Sequence, residues 1–348
     1  MANVTLRDVA EKAEVSTATV SRVINGNGYV SPELKELVER TIDELGYVQN
    51  SVARSLITKT THTIAYVTAD IANPYMVTVA RGIEGIARDS GYTLLMCSAT
   101  GDPEQERECL KMLMARKVDA LVLNGSGYNK ELIVEISKQI PVALLHRHYN
   151  DPSFMGDYMG SDNDRGIRLL TKHLLSFGHR KIFILKGAER TTTHQERFNG
   201  FAATMKEAGI EVDKHYPYQY GGDFTPECGY NALEYICAMD DKPTAILAFN
   251  NTLGLGALKG IQENNIRVPE DLSVACFNGI NHRELMSVRP TVYDIDPTEV
   301  GLQLGTALME RIENPGLPFR MFEPQGELIT GNAVSTPTHS FGRKINFL

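Results

Sequence analysis

At 348 residues, with 42% hydrophobic side chains, the chain suits two or three domains and can bury a sizeable core. A formal net charge of −8 at pH 7 argues against a general nucleic-acid coat, so any DNA contact must be local. Apolar runs near membrane-spanning length and a basic-apolar-small leader are both missing, which predicts no span, no signal peptide and a cytoplasmic protein.

The first predicted helix starts after Thr5 and carries apolar spacing at Leu6, Val9, Ala10 and Ala13. Asp8, three residues on, completes a capping box. After a tight turn at Glu14-Val15, Ser16 caps a second short helix, Thr17 to Ile24. It buries Val20, Val23 and Ile24 and leaves Thr17, Ala18, Ser21 and Arg22 on a small, polar side. A major groove wants such a face: short side chains allow close approach, and arginine offers a bidentate fork to guanine. Asn25-Gly26 ends the helix, and Ser31-Pro32-Glu33 starts a third as cap, first residue and first-turn acid. Gly46 closes it after Leu34, Leu37, Val38, Ile42 and Leu45 have formed an inner face. The competing reading is a three-helix bundle that binds another protein. Residues 1–60 hold seven Lys/Arg against eight Asp/Glu, a net of −1, and five of the acids (Glu33, Glu36, Glu39, Asp43, Glu44) lie on helix three. Weak non-specific affinity and a steep need for the right bases should follow.

From about residue 62 short apolar strands alternate with amphipathic helices. Ile64–Val67, Thr93–Met96, Ala120–Leu123 and Val142–Leu145 make one series; Ile182–Leu185, Ala245–Ala248 and Val274–Phe277 belong to a second. Strand-helix alternation means parallel sheets, and two series mean two doubly wound subdomains. Parallel sheets hold ligands beyond the carboxyl ends of their strands. Those positions carry Asp70, Asn73 and Tyr75, then His146-Arg147-His148, Arg197, Phe224, Asn250-Asn251 and Asn278. Amides, an arginine and aromatic faces converging on a cleft suit a polar, neutral or anionic small molecule. The five cysteines (Cys97, Cys109, Cys228, Cys237, Cys276) are odd in number and lack C-x-x-C spacing, so they read as reduced core thiols and not as a disulfide frame or zinc site. No cofactor or metal is expected.

Val4-Thr5-Leu6-Arg7-Asp8-Val9-Ala10, then Val15 through Asn25, then Gly46-Tyr47 and Asn50-Ser51-Val52-Ala53-Arg54-Ser55-Leu56, resemble the headpiece of lactose-repressor-type (LacI/GalR) transcription regulators. The resemblance runs through the body to about residue 335. It implies an all-α helix-turn-helix headpiece on an α/β, periplasmic-binding-protein-like body of two doubly wound parallel-sheet subdomains. The domains it implies are 1–48 for DNA binding, 49–61 for a hinge helix and linker, 62–340 for effector binding and dimerisation, and 341–348 as a tail. Within the body, 62–161 with 292–323 would form one subdomain and 162–291 with 324–340 the other.

By the same resemblance, Thr17 and Ala18 face base edges and Arg22 reads a guanine, while Thr5, Ser16, Thr19, Ser21 and Asn25 hold phosphates. Asn50 and Ala53 sit in a hinge helix that folds in the minor groove when two subunits meet on a near-palindromic operator, and Leu56 wedges open the central base step. In the cleft, Arg197 bridges ligand oxygens, Phe224 stacks, and Asn250 and Asn278 bond hydroxyls, with Asp70, Asn73, Tyr75, His146, Arg147 and Ile295 completing the site.

Several positions depart from the family. Glu14 stands where glycine is frequent and Gln49 where proline is. Asparagine replaces a common aspartate at Asn278 and Asn251, as does His146, and Ile295 occupies the site of a frequent glutamine. Negative charge is removed from the cleft while Arg147, His148, Arg190 and His194 add positive charge, which tilts the expected carbohydrate-like effector toward an acidic sugar or sugar phosphate. The expectation is therefore a homodimeric, non-enzymatic repressor controlled by such a metabolite; a phosphorylated carrier protein as co-effector is the alternative. An enzyme fits worse. Gly254-Leu255-Gly256 with Gly260 has the spacing G-x-G-x-x-x-G and falls inside a helix, where small residues serve helix-sheet packing better than a dinucleotide.

Overall fold

Helix starts follow the caps. In this computed structural model, which describes residues 4–48, 60–149 and 151–338, the Thr5 hydroxyl accepts from Asp8 N at 3.3 Å and the Asp8 carboxylate takes Thr5 N at 2.7 Å. Helix α1 spans Leu6–Lys12, α2 Thr17–Asn25 and α3 Pro32–Leu45. Ser16 accepts from Thr19 N and Ser31 from Leu34 N, each supplying an acceptor to an orphan donor of the first turn. Val9, Ala10, Ala13, Val20 and Val38 form the small core between the helices. The Glu14 turn is left-handed, φ 53°, a conformation that costs any side chain more than glycine. The five acids of α3 face solvent. The described residues fall into two compact units, one within 1–61 and one within 62–348.

The second unit holds two six-stranded sheets. The first is built from β1 (Thr63–Thr68), β2 (Thr93–Ser98), β3 (Ala120–Leu123), β4 (Val142–Leu145), β5 (Asp157–Met159) and, much later, β11 (Arg320–Phe322), with α4 (Pro74–Asp89), α5 (Pro103–Ala115) and α6 (Lys130–Ser137) between the early strands. Its order is β11-β5-β4-β3-β1-β2 and every pairing is parallel. The second contains β6 (Ile182–Lys186), β7 (Gln219–Gly221), β8 (Ala245–Ala248), β9 (Ser273–Phe277), β10 (Thr291–Asp294) and β12 (Glu327–Ile329), with α7 (Asn163–Ser176), α8 (Thr192–Glu207), α9 (Pro226–Ala238) and α10 (Asn251–Glu263). Its order is β12-β10-β9-β8-β6-β7, parallel except for antiparallel β10–β12. Helix α11 (Pro297–Glu313) follows β10. Strands β3, β4, β8 and β9 are buried at every residue, as expected of parallel strands with covered faces.

The chain passes between sheets three times, after β5, after β10 and between β11 and β12. Sequence placed the second passage at 291/292. Val292 and Tyr293 instead pair with Cys276 and Phe277 on one side and with Ile329 and Leu328 on the other, so 292–294 stay with the second sheet. Of the α10 glycines, Gly254 packs on the sheet as expected, where a Cβ would meet Cys276 Sγ at 2.8 Å, whereas Gly256 packs on helix α9, where one would meet Pro226 O at 1.8 Å.

An ionic cluster around the buried Asp157 fixes the outer end of the first sheet. Asp157 on β5 takes Arg311 of α11 through bonds of 2.6 and 2.8 Å and Arg320 of β11 through bonds of 2.8 and 3.0 Å. Burial alone would push the Asp157 carboxyl up, but the two guanidiniums more than offset it and hold it below the usual range. No helix among the described residues is long and apolar enough to cross a membrane.

Candidate functional site

On the headpiece, Thr17, Ala18 and Arg22 lie exposed on α2, on the side away from the buried Val20. The positions expected at phosphates are tied into local bonds. Ser16 Oγ and Thr19 Oγ1 are 2.9 Å apart, and Asn25 Nδ2 donates to Ser21 O at 2.8 Å and Ser21 Oγ at 3.1 Å. Thr5 is occupied by its capping box. These groups shape the helix ends, and Thr5, Ser16 and Asn25 remain exposed. Asn50, Ala53 and Leu56 lie outside the described residues.

The second site is a cleft at the carboxyl ends of both sheets. It encloses roughly 570 Å³ between its walls, part of it open to solvent. Nine of the ten residues expected there line it; Ile295 does not. Ile295 is 2% exposed and packed where a Cβ at Gly326 would meet it at 2.7 Å, so it belongs to the core behind the cleft. Five further residues line the wall: Asn251, which the sequence already singled out, and Ala69, Met76, Asn124 and Thr193, which it did not. Asn124 directly follows β3 and obeys the same after-the-strand rule, donating to Leu145 O at 3.0 Å. Thr193 and Met76 come from the first turns of α8 and α4, and Asn251 opens α10.

Each wall residue is placed by its strand end. His146, just after β4, is left-handed at φ 63° with Nδ1 3.3 Å from Ser161 Oγ. Burial, then the nearby cations Arg197 and Arg147, push its pKa down to about 3, so it is neutral at pH 7. Arg197, 4% exposed, donates to Asn163 Oδ1 at 2.8 Å and to Phe249 O, and lies 3.6 Å over the Phe277 ring. Burial lowers its pKa to about 9. Arg147 donates to Gly125 O and faces the Phe224 ring at 5.6 Å, its pKa lowered by burial to about 10. Both guanidiniums stay charged at pH 7, and among the described residues neither has a carboxylate within ion-pairing distance. Asp70 sits at the rim, its carboxylate committed to Ala72 N at 2.8 Å.

The amides divide into committed and idle. Asn250 caps α10, accepting from Leu253 N at 2.9 Å and donating to Thr252 Oγ1 at 2.7 Å, so both ends of its side chain are used internally. Asn278, left-handed at φ 67° after β9, keeps a buried Nδ2 with no partner. The buried Tyr75 hydroxyl is likewise unpartnered, and burial holds it far above the usual phenol range. The Phe224 ring depends on Gly187: a Cβ there would stand 1.9 Å from the ring.

Across the cleft the two sheets touch through side chains. Asn251 Nδ2 donates to Asn73 Oδ1 at 3.0 Å and Asn73 Nδ2 returns to Asn251 Oδ1 at 3.5 Å, joining the start of α10 to the cap of α4. Thr193 Oγ1 donates to His146 O at 2.9 Å, and Arg190 Nε to Ser126 O at 3.0 Å.

Known proteins agree with this plan. A family profile described as "Bacterial regulatory proteins, lacI family" matches residues 5–50, and one described as "Periplasmic binding proteins and sugar binding domain of LacI family" matches 61–331. The chain is 32% identical over 330 residues to the HTH-type transcriptional repressor PurR of Aliivibrio salmonicida (strain LFI1238), covering 95% of this chain and 98% of that protein. It is 33% identical over 330 residues, with the same coverage, to the PurR repressor of Vibrio vulnificus (strain CMCP6). Its fold matches a lac repressor dimer bound to operator and the anti-inducer ONPF, with a TM-score of 0.83, 24% identity and coverage of 96% of this chain and 100% of that one. A transcriptional regulator CelR–cellobiose complex matches at a TM-score of 0.70 and 26% identity, covering 95% and 100%. With one α-helical headpiece, one two-sheet body and both profiles accounted for, the chain belongs to the LacI family of bacterial regulatory proteins, as a DNA-binding transcriptional repressor with a ligand-binding body.

Proposed function

We propose that this repressor acts in the cytoplasm as a homodimer on a near-palindromic operator. Its operator affinity is set by a small anionic or acceptor-rich ligand in the cleft. One observation carries the ligand class: the walls are rich in cationic and amide donors, and their one carboxylate, Asp70, sits at the rim. Arg147 and Arg197 are desolvated without a carboxylate, and Asn278 Nδ2 and Tyr75 Oη are buried without partners. A buried unsatisfied donor costs about 1–3 kcal/mol, so a ligand that accepts from these groups recovers that cost on binding. An acidic sugar or sugar phosphate meets the requirement. Arg197 and Arg147 would take the anion, Asn278 and Tyr75 its oxygens, and Phe224 the ring face. Asp70, Asn73 and His146 shape the wall, and Asn250 contributes by capping α10.

A second reading has a specific support. Relatives at 32–33% identity are PurR repressors, and a planar nitrogen heterocycle such as a purine base also presents acceptor edges and a face for Phe224. In either case the ligand spans both sheets, so binding changes the subdomain angle. That biases the expected 49–61 hinge, and ligand and operator affinities are linked reciprocally. Thr17, Ala18 and Arg22 would read bases, with Asn50, Ala53 and Leu56 at the operator centre.

A thermal-shift screen of the full chain against uronic acids, sugar phosphates, neutral sugars, purine bases and nucleosides tests the ligand class. A ligand at 100 times its Kd stabilises by about 2.7 kcal/mol. Stabilisation by anionic or acceptor-edged compounds above their neutral hydroxylated counterparts is expected. Stabilisation by neutral sugars alone would overturn the donor-rich reading, and silence throughout would move control to a carrier protein.

A further inference from the structure

One buried carboxylate lies behind the cleft wall and has no obvious task. Glu106, in the first turn of α5, is 1% exposed. Among the described residues no Lys, Arg or His lies within ion-pairing distance of it. Its acceptors are filled instead by the 124–129 loop: Ser126 N donates to Oε2 at 2.5 Å, Ser126 Oγ to Oε1 at 3.0 Å and Asn129 Nδ2 to Oε1 at 2.9 Å. That loop also takes the cleft residue Arg147 and its neighbour Arg190. Arg147 Nη1 donates to Gly125 O, and Arg190 Nε to Ser126 O.

The carbonyl that takes Arg147 and the N–H that reaches Glu106 belong to the same peptide group, the one joining Gly125 to Ser126. In a trans peptide these two bonds point in opposite directions, so the negative end of its dipole meets the guanidinium and the positive end meets the carboxylate. The three groups form an ion pair with one peptide inserted. We propose that Glu106 is a positioning residue of the cleft: through the Gly125–Ser126 peptide it holds Arg147 at the ligand and thereby sets the preference for anionic over neutral ligands. This rests on the donor-rich reading of the cleft given above.

The alternatives place less of the geometry. A carboxylate that merely capped α5 would bond the N–H groups of its own first turn, and here Asp102 does that, accepting from Glu104 N and Gln105 N. A carboxylate that merely ordered the loop would not need to sit on the peptide that Arg147 uses. Electrostatics run the same way. Burial and the Arg190 charge depress the Arg147 pKa, and Glu106 is the first opposing influence. Gly125 allows the approach, since a Cβ there would lie 3.2 Å from Glu106 Oε2 and 3.3 Å from the Tyr149 hydroxyl.

The test is calorimetric titration of the full chain with two charge-matched pairs, glucuronate against glucose and ribose 5-phosphate against ribose. Glu106→Gln should cut the affinity for the anionic member about tenfold and leave the neutral member within about twofold. The same change in an Arg147→Ala background should add nothing. Equal losses for both members of a pair, or additive losses with Arg147→Ala, would overturn the proposal and leave Glu106 a structural residue. If the unaltered protein binds no anion, the ligand reading fails by itself. The relay is then decided without ligand, by the crystal structure of Glu106→Gln: Arg147 released from Gly125 O supports it, and Arg147 unmoved overturns it.

Discussion

Arg22 and Arg197 share a side chain and little else. Arg22 stands in solvent on α2, beside Thr17 and Ala18, while Arg197 is 4% exposed between Asn163, Phe249 and Phe277. An exposed guanidinium keeps its hydration until a partner arrives, so it can be presented on a helix with no supporting structure. A buried one has already lost that hydration and must be held by neighbours that take its protons. The headpiece is accordingly made of local devices, caps and short helices around five small core residues. The cleft is made of long-range ones, with Asn73 meeting Asn251 and His146 meeting Thr193 across the gap between sheets.

The largest effect expected from that difference is at Asp157. Asp157→Asn removes the one carboxylate shared by two arginines and should cost about 3–5 kcal/mol in urea unfolding of the body. The exposed Lys12–Glu44 pair of the headpiece, at 2.8 Å, offers the contrast, and Lys12→Ala should leave the melting temperature unchanged within error. Comparable losses at both sites would erase the distinction. Next in size is Arg22→Ala, which should weaken binding to a selected operator by about 1–3 kcal/mol and relax specificity at one base pair while the thermal transition stays put. A uniform loss over all sequences would make Arg22 a phosphate contact.

Acid separates the two units by titration. His146 and His179 have pKa values pushed down to about 3 and about 4 by burial, against 6.5 for an ordinary histidine. The unfolded chain takes up these protons below 6.5 and the folded chain does not, so body stability is full above that pH and falls as pH drops toward 4. A loss on the order of 4 kcal/mol by pH 5 is expected, about 2 kcal/mol from each ring, and it is halved in His146→Gln. Asp157, held below its ordinary 3.8, gives up its contribution only in more acid solution. An unfolding curve flat from pH 7 to 5 would contradict the burial of these rings. The smallest effect is in the headpiece turn, where Glu14→Gly should stabilise by up to ~1 kcal/mol in thermal melts by relieving a left-handed side chain at φ 53°.

What sequence could reveal follows the same division. Capping boxes, Ser-Pro-Glu starts and glycine stops obey rules spanning four residues, and all three headpiece helices were legible from them. Strands such as Val142–Leu145 were legible as continuous apolar runs, and the rule that ligands gather beyond strand ends located His146, Arg197 and Asn278. Three-residue strands such as β5 and β7 carry too little pattern, and the extent of β10 depends on partners β9 and β12 that lie elsewhere in the chain. Ile295 follows a strand like the others, yet its side chain faces the core beside Gly326, a matter of direction and not of spacing. Glu106 was invisible because an acid in a Glu-rich first turn reads as solvated until the 124–129 loop is folded over it.

The central claim is that occupancy of the donor-rich cleft sets operator affinity. It is tested most directly by titrating a selected operator with the full chain, at zero and at saturating concentration of whichever compound stabilises the protein most. The same titration is repeated with Arg197→Ala. The account predicts a shift in operator affinity of about 5–150-fold that disappears in the variant. A compound that stabilises the fold strongly, requires Arg197 and leaves operator affinity untouched would contradict it.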